Sequence, residues 1–237
     1  MKLQKETSGA ASSEAADRRR YDDACAAAHG MDLIGERWAM PIIRELLMGP
    51  RRFSDLKNSL NGISAKVLTE RLEGLEAAGI LGRRKLEPPA NVQVYELTPW
   101  GYEAAPIFQA LGRWAVRSPR HDPARPFSPV SLMLSLRTMF SPAAARGASG
   151  RLNLRLSDQS FFWTLAEGEV DIGRGELPDA DATLSGAPTA VAGIVYGGRP
   201  LDDAIAAGDL AAEGDLDLIR RLPSFFPLPD KASDRIS

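Results

Sequence analysis

Gly62-Ile63-Ser64-Ala65-Lys66-Val67-Leu68-Thr69-Glu70-Arg71-Leu72-Glu73-Gly74-Leu75-Glu76-Ala77-Ala78-Gly79 is the stretch on which the fold turns. Leu68, Leu72 and Leu75 recur at spacings of four and three, the buried stripe of an amphipathic helix. Ser64 supplies its N-cap and Gly79 its C-cap. Asn61-Gly62 breaks the chain ahead of it. Before the break, Ser54 is the expected N-cap of a short helix, Asp55 to Leu60, itself preceded by the stop Gly49-Pro50. Further upstream, from Asp22, the apolar residues Leu33, Ile34, Trp38, Ile42, Ile43, Leu46 and Leu47 keep helical spacing. Downstream, Ile80 to Leu86 and Val92 to Thr98 read as strands, and Glu87-Pro88-Pro89-Ala90-Asn91 supplies the turn residues of a hairpin. A last helix from about Pro99 carries Ala104, Ile107, Phe108, Leu111, Trp114 and Ala115 on one face.

Helix, helix, helix, β-hairpin, helix is the plan of a winged helix-turn-helix. A short helix packed across another presents its N-terminal turn to the DNA major groove. Here the outward positions are Ala65, Lys66, Thr69, Glu70 and Glu73, with Arg71 toward one edge. The hydroxyls of Ser54, Ser64 and Thr69 and the cations of Lys66 and Arg71 suit phosphates and base edges, helped by the positive end of the helix dipole. Arg83, Arg84 and Lys85 leave the first strand of the wing within reach of a neighbouring phosphate or the minor groove. Taken singly, Lys66 and Arg71 read equally well as ordinary helix-surface charges, and the basic triplet as protection of a strand edge. Together, and in this order, they point to DNA.

The stretch from Cys25 to Ala115 also resembles the HxlR family of winged helix-turn-helix transcriptional regulators. The resemblance rests on Cys25 with Met31-Asp32-Leu33-Ile34-Gly35-Glu36-Arg37-Trp38, Ile43-Arg44-Glu45-Leu46-Leu47 and Gly49-Pro50-Arg51-Arg52-Phe53-Ser54-Asp55-Leu56. It continues through Gly62 to Leu72 and Leu97-Thr98-Pro99-Trp100-Gly101. It implies a homodimer built from the first and last helices of the domain, with Ile107, Phe108, Leu111 and Trp114 at the interface, on palindromic double-stranded operator DNA. Ala65 stands where the family often has proline, and the first helical position accepts either. In several members a cysteine at the place of Cys25 senses oxidants or electrophiles. The other reading of Cys25 is a small buried hydrophobe, and Asp22 and Asp23 are expected to raise its pKa.

The whole chain of 237 residues holds 29 basic and 31 acidic residues, a net charge of −2. That balance hides a partition. Residues 1–120 carry 18 basic and 15 acidic residues, a net of +3; residues 121–237 carry 11 and 16, a net of −5. Between the halves, Ser118 to Pro129 places four prolines in twelve residues, which favours an extended connector. The expected organisation is a disordered stretch over 1–20, a winged-helix domain over 21–117, a linker over 118–129 and a second domain over 130–232.

That second half alternates. Leu152, Leu154 and Leu156 share one face of a strand. Phe161 to Leu165, Glu169 to Ile172, Asp181 to Ser185 and Leu210 to Gly214 read as four more strands, with helices near Leu132–Phe140, Pro188–Tyr196, Leu201–Ala207 and Leu216–Leu222. The fold class is therefore α+β, a winged helix-turn-helix followed by a small sheet covered by helices. The second half is similar to the sterol-carrier-protein type 2 fold on Ala182-Thr183-Leu184-Ser185-Gly186, on a helix followed by Gly197-Gly198, and on Gly208 to Asp215. The resemblance implies a tunnel for an apolar small-molecule effector, walled by Phe161, Trp163, Ile172, Ile194, Val195 and Leu210. The alternative is that these residues fill a solid core.

No enzyme is expected. Gly147-Ala148-Ser149-Gly150 lacks the spacing of a nucleophile elbow, Gly173-Arg174-Gly175 lacks the third glycine of a dinucleotide loop, and there is no P-loop. Asp202-Asp203 sit in a helical first turn, which the dipole favours. One cysteine and two distant histidines, His29 and His121, leave no metal or cofactor site in view. No run of about eighteen apolar residues occurs, so no membrane span is expected, and no secretory signal opens the chain. It reads as a cytoplasmic, DNA-binding regulator, more a repressor than an activator. An apolar-ligand carrier that uses its winged helix only for dimerisation is the alternative.

Overall fold

The apolar spacing from Leu33 to Leu47 is cut in the structure by a turn. In the computed structural model, which describes residues 21–233, α1 (Ala26–Ile34) and α2 (Ala39–Leu46) are separate helices. Trp38 between them takes φ of +80°, a left-handed backbone in which a helix cannot continue. The disorder expected over 1–20 lies outside the described residues.

By their internal contacts the described residues form two units, 21–43 with Arg51–Gly101, and Arg44–Pro50 with 102–233. The first unit holds α1, most of α2, α3 (Phe53–Ser59), α4 (Ala65–Ala77), the antiparallel hairpin of β1 (Leu81–Lys85) and β2 (Gln93–Leu97), and α5 (Pro99–Tyr102). Ile42, Ile43, Leu56, Leu60, Leu68, Leu72, Leu75, Leu81, Val94 and Leu97 are buried as its core. The stripe of α4 faces inward as its spacing predicts, and Ser64 Oγ accepts the backbone N–H of Val67 at 3.2 Å. The cap of α3 differs from expectation. Arg52, not Ser54, is the N-cap residue, because the Asp55 carboxylate reaches back to the Arg52 N–H at 3.3 Å and sets the helix start two residues earlier. Gly101 is demanded by packing: a Cβ there would meet the Ile80 carbonyl oxygen at 2.0 Å. Thr98 closes the same corner, donating from Oγ1 to the Gly79 carbonyl at 2.8 Å and accepting from Gly101 N–H at 3.0 Å.

The second unit begins with α6 (Ala104–Ala115) and α7 (Pro129–Met139). Ser128 caps α7 through its side chain, with Pro129 in the first turn. Helix α7 is buried nearly all round, through Val130, Leu132, Met133, Leu134, Leu136 and Thr138. Five strands follow, β3 (Gly150–Leu156), β4 (Gln159–Ala166), β5 (Glu169–Arg174), β6 (Ala182–Gly186) and β7 (Leu210–Gly214), in the spatial order β5-β4-β3-β6-β7. Only β3 and β6 pair in parallel. Helices α8 (Pro188–Val195) and α9 (Leu201–Ala206) lie between β6 and β7 in the chain, and α10 (Leu216–Phe225) closes it. The unit boundary at Gly101–Tyr102 falls ahead of the proline-rich segment because α6 packs on α7: Arg113 Nε donates to the Thr138 carbonyl at 2.8 Å. The end of α6 is also strapped to the chain's last described residues. Ala232 N–H donates to the Arg117 carbonyl at 2.7 Å, and Lys231 Nζ to the Val116 carbonyl at 2.9 Å.

Candidate nucleic-acid interface

Helix α4 presents Ala65, Lys66, Thr69, Glu70 and Glu73 to solvent, the positions its heptad spacing assigns outward. Lys66 is 87% exposed, with Glu70 one turn on at 3.9 Å. An exposed pair at that distance is worth little, so Glu70 holds Lys66 only loosely. The Ser64 hydroxyl is engaged as the cap of α4, and Ser54, exposed on α3, donates weakly to Asp55 at 3.4 Å. Arg71 is held differently. Its Nη2 lies 3.1 Å from Glu36 Oε2, its side chain is 23% exposed, and its Nε is buried without an acceptor among the described residues. With His29, Asp32 and Glu36 it lines a cleft of about 360 Å³ against α1.

In the wing, Arg83 pairs with Glu76 of α4 at 2.8 Å and lies over the Tyr95 ring. Arg84 pairs with Glu96 across the hairpin, its cross-strand diagonal neighbour, and Lys85 is exposed. The structure therefore brings Lys66, Thr69, Arg83, Arg84 and Lys85 onto exposed positions of one unit, and turns Arg71 into an ion pair of its scaffold. Sequence reasoning passed over Arg52 and Arg51. Arg52 is exposed at the N-cap of α3, its own N–H taken by the Asp55 carboxylate. Arg51 exchanges two backbone hydrogen bonds with Tyr95 of the wing, at 2.9 and 2.8 Å. The basic pair directly before a helix start was the signal for both.

Cys25 is exposed and stands at the N-cap of α1, which corrects the reading of a buried small hydrophobe. Its pKa is lowered from the usual 9.0, first by the backbone N–H of Ala28 and then by that of Ala27. The N–H groups of the helix's open first turn set the direction, and the expected upward shift is corrected.

On α6, Ile107, Leu111 and Trp114 are 54%, 46% and 74% exposed; at i, i+4 and i+7 they form one apolar stripe. Phe108 is half-buried and packs against the C-terminal core.

In the second unit, Phe161, Trp163, Ile172, Ile194, Val195 and Leu210 are all buried in one core. The ring of Trp163 stacks on Phe225 at 6.2 Å and meets Phe226 edge-on at 6.3 Å, with Phe140 against Phe226. The space between sheet and helices is occupied by these rings. Trp163 Nε1 is nevertheless buried with no acceptor among the described residues, and a buried indole N–H ordinarily finds one. Ile194 also lines a cleft of about 330 Å³ with Leu201, Ile219, Pro223 and, at its rim, Arg199 and Arg220. Among the described residues no cluster of His, Cys, Asp and Glu could hold a metal ion, and no helix is long and apolar enough to cross a membrane.

Comparison with known proteins finds two family matches, the first running past Gly101 through α6. The family model described as HxlR-like helix-turn-helix matches residues 33–122, and that of the SCP-2 sterol transfer family matches residues 136–227. The HTH-type transcriptional regulator YvaP of Bacillus subtilis is 37% identical over 86 residues, 36% of this chain and 79% of YvaP. YodB, an HTH-type transcriptional regulator of the same organism, is 40% identical over 84 residues, 35% of this chain and 74% of YodB. The solved structure of reduced YodB is 32% identical, covers 42% of this chain and all of that one, and has a TM-score of 0.38.

Proposed function

The chain belongs to the HxlR-like helix-turn-helix family, and from that premise we propose that it is a cytoplasmic, homodimeric repressor that reads double-stranded operator DNA. The observation that carries this reading is the exposed N-terminal half of α4 beside a basic wing, with Lys66, Thr69, Arg83, Arg84, Lys85 and Arg52 on solvent-facing positions. Lys66 and Thr69 are the residues for the groove; the arginines and Lys85 are the residues for phosphates. In this reading residues 21–117 are the DNA-reading module, 118–129 the linker and 130–232 the effector module, although by internal contacts Arg44–Pro50 and α6 belong to the second unit. The stripe Ile107, Leu111 and Trp114 supports the dimer, since three large apolar side chains on one helical face are what an isologous contact needs.

The effector is an apolar small molecule held in the second module. Its support is the match to the sterol transfer family together with the unsatisfied Trp163 N–H, which an oxygen-bearing apolar ligand satisfies. Phe161, Ile172, Ile194, Val195 and Leu210 are the remaining walls. A gel shift of the full chain on the DNA upstream of its own gene tests the first part. Preference over random duplex at physiological salt is expected, with affinity falling steeply as salt rises. Equal binding to both duplexes refutes the regulator. If an apolar ligand then co-purifies in native mass spectrometry, the chain is a ligand carrier.

A further inference from the structure

The cleft of about 360 Å³ beside Arg71 lies wholly within the first compact unit. Its walls are α1 with the turn that follows, through Asp32, Leu33 and Glu36, and the C-terminal half of α4, through Arg71, Gly74 and Leu75. One donor and one acceptor on these walls have capacity left over. Arg71 Nη2 is committed to Glu36 at 3.1 Å, while Arg71 Nε is buried with no acceptor among the described residues. A buried donor ordinarily finds one. The Asp32 side chain is 13% exposed, and its Oδ2 lies 3.9 Å from His29 Nδ1, beyond hydrogen-bond length. Its Oδ1 accepts the Tyr21 N–H at 3.1 Å, which steadies the carboxylate.

Gly74 is the independent observation. It stands inside α4, where glycine weakens a helix relative to alanine. A Cβ there would meet nothing within 4 Å, so packing does not demand the glycine. A helical side chain leans over the turn that precedes it, and at this position that turn carries Arg71. What the missing side chain preserves is the space of the cleft.

We propose that this cleft binds a small, uncharged aromatic carboxamide. The amide carbonyl accepts from Arg71 Nε, the amide N–H donates to Asp32 Oδ2, and the ring lies against Leu33 and Leu75. An amide suits the pair because it offers an acceptor and donors together without charge. An anion is opposed, since two carboxylates, Asp32 and Glu36, face one guanidinium. An amidinium supplies donors only and leaves Arg71 Nε unmet. The volume is at the small end of those that hold ligands. The site stands whether or not the chain reads DNA.

The test titrates the full, ¹⁵N-labelled chain with three probes of one size, benzamide, benzoate and benzamidine, and follows the arginine Nε–H resonances and the backbone amides. Benzamide is expected to bind saturably, with a dissociation constant of about 1 mM or tighter. It should shift the Arg71 Nε–H resonance and the amides of residues 29–36 and 71–78, and bind about tenfold tighter than either other probe. Gly74→Leu, which fills the cleft, and Arg71→Lys, which keeps a cation for Glu36 but no Nε donor, should each weaken benzamide by about tenfold or more. Absence of saturable benzamide binding, an unmoved Arg71 Nε–H resonance, equal affinity for benzoate or benzamidine, or binding that Gly74→Leu leaves intact each overturns the proposal. Should Gly74→Leu fail to fold, Ala77→Leu, at an exposed position on the same wall, is read by the same criteria.

Discussion

Glu36, in the turn after α1, holds the guanidinium of Arg71 at 3.1 Å, so a basic residue that helical spacing directs toward DNA is bound to its own scaffold. The consequence is a split between stability and affinity. Arg71→Ala should lower the folding stability of the winged-helix unit by about 1–2 kcal/mol, through the lost ion pair and the lost cover of its aliphatic stem. The slope of log affinity against log salt should stay as in wild type. Thermal unfolding and a salt titration of duplex binding measure the two. A slope shallower by one contact would return Arg71 to the phosphate-contacting set.

Lys66 and Arg84 are expected to behave the other way. Both are exposed; Lys66 is loosely paired with Glu70 at 3.9 Å, and Arg84 makes a two-armed contact with Glu96 across the hairpin. Lys66→Ala and Arg84→Ala should each weaken operator binding and each reduce the salt slope by about 1, the signature of one lost phosphate contact. Unfolding midpoints should barely move, since exposed pairs contribute little. Anisotropy titrations between low and physiological salt provide the readout.

The stripe on α6 predicts the assembly. Trp114 is 74% exposed and Leu111 46%, more than an isolated helix face of large apolar groups ordinarily leaves to water. Trp114→Ala should weaken dimerisation by about 2 kcal/mol or more, some thirtyfold, as a central aromatic anchor does. Phe108→Ala should instead destabilise the C-terminal unit, against whose core that ring packs. Sedimentation velocity across a concentration series separates the two effects.

The thiol of Cys25 is held below its ordinary pKa by the Ala28 and Ala27 N–H groups. Its alkylation rate, which follows the thiolate fraction, should therefore rise at lower pH in the folded protein than in a short unfolded peptide of the same sequence. Ala28→Pro removes the first of those donors at a helix position that tolerates proline, and should return the midpoint upward. Iodoacetamide kinetics across neutral and alkaline pH give the comparison. Coincident profiles for folded chain and peptide would contradict the assignment.

Acid should act on the second unit through Glu176. Its side chain takes a bidentate contact from Arg155 at 2.9 Å and a hydrogen bond from Ser160 at 2.7 Å, and its pKa is lowered from 4.5 to about 2, chiefly by Arg155. A depressed acid stabilises the fold above its unfolded pKa and loses that stabilisation as pH falls toward the folded one. The stability difference between wild type and Glu176→Gln should be constant above about pH 4.5 and shrink between there and pH 2. Denaturant melts at stepped pH check it, and a difference independent of pH would overturn it.

Much of this architecture was readable in the residues. The leucine stripe of α4, its Ser64 cap, the hairpin and the five later strands all depend on spacings of two, three and four, which act over a few neighbouring residues. The misreadings have equally specific causes. Apolar spacing runs unbroken across the turn between α1, which is capped at Gly35, and α2, with Trp38 at positive φ just before α2. The hydroxyl of Ser54 was the better cap by residue type, yet the Asp55 carboxylate one position on reached the Arg52 N–H first. At Cys25 the aspartates are visible in the sequence, whereas the backbone donors of the helix opening are visible only once the helix exists.

The sequence by itself determined the order of elements, the basic and acidic halves, and the exposed basic positions of the wing, because periodicity and composition are properties of short stretches of chain. Tertiary structure alone decided that Arg71 meets Glu36, that Phe108 turns inward while Ile107 turns out, that Trp163 buries an unanswered N–H, and that Arg44–Pro50 belongs with a sheet more than a hundred residues downstream. These are pairings of groups distant in sequence. Which partner a side chain finds depends on what the whole fold brings within a few ångströms, and no local spacing contains that information.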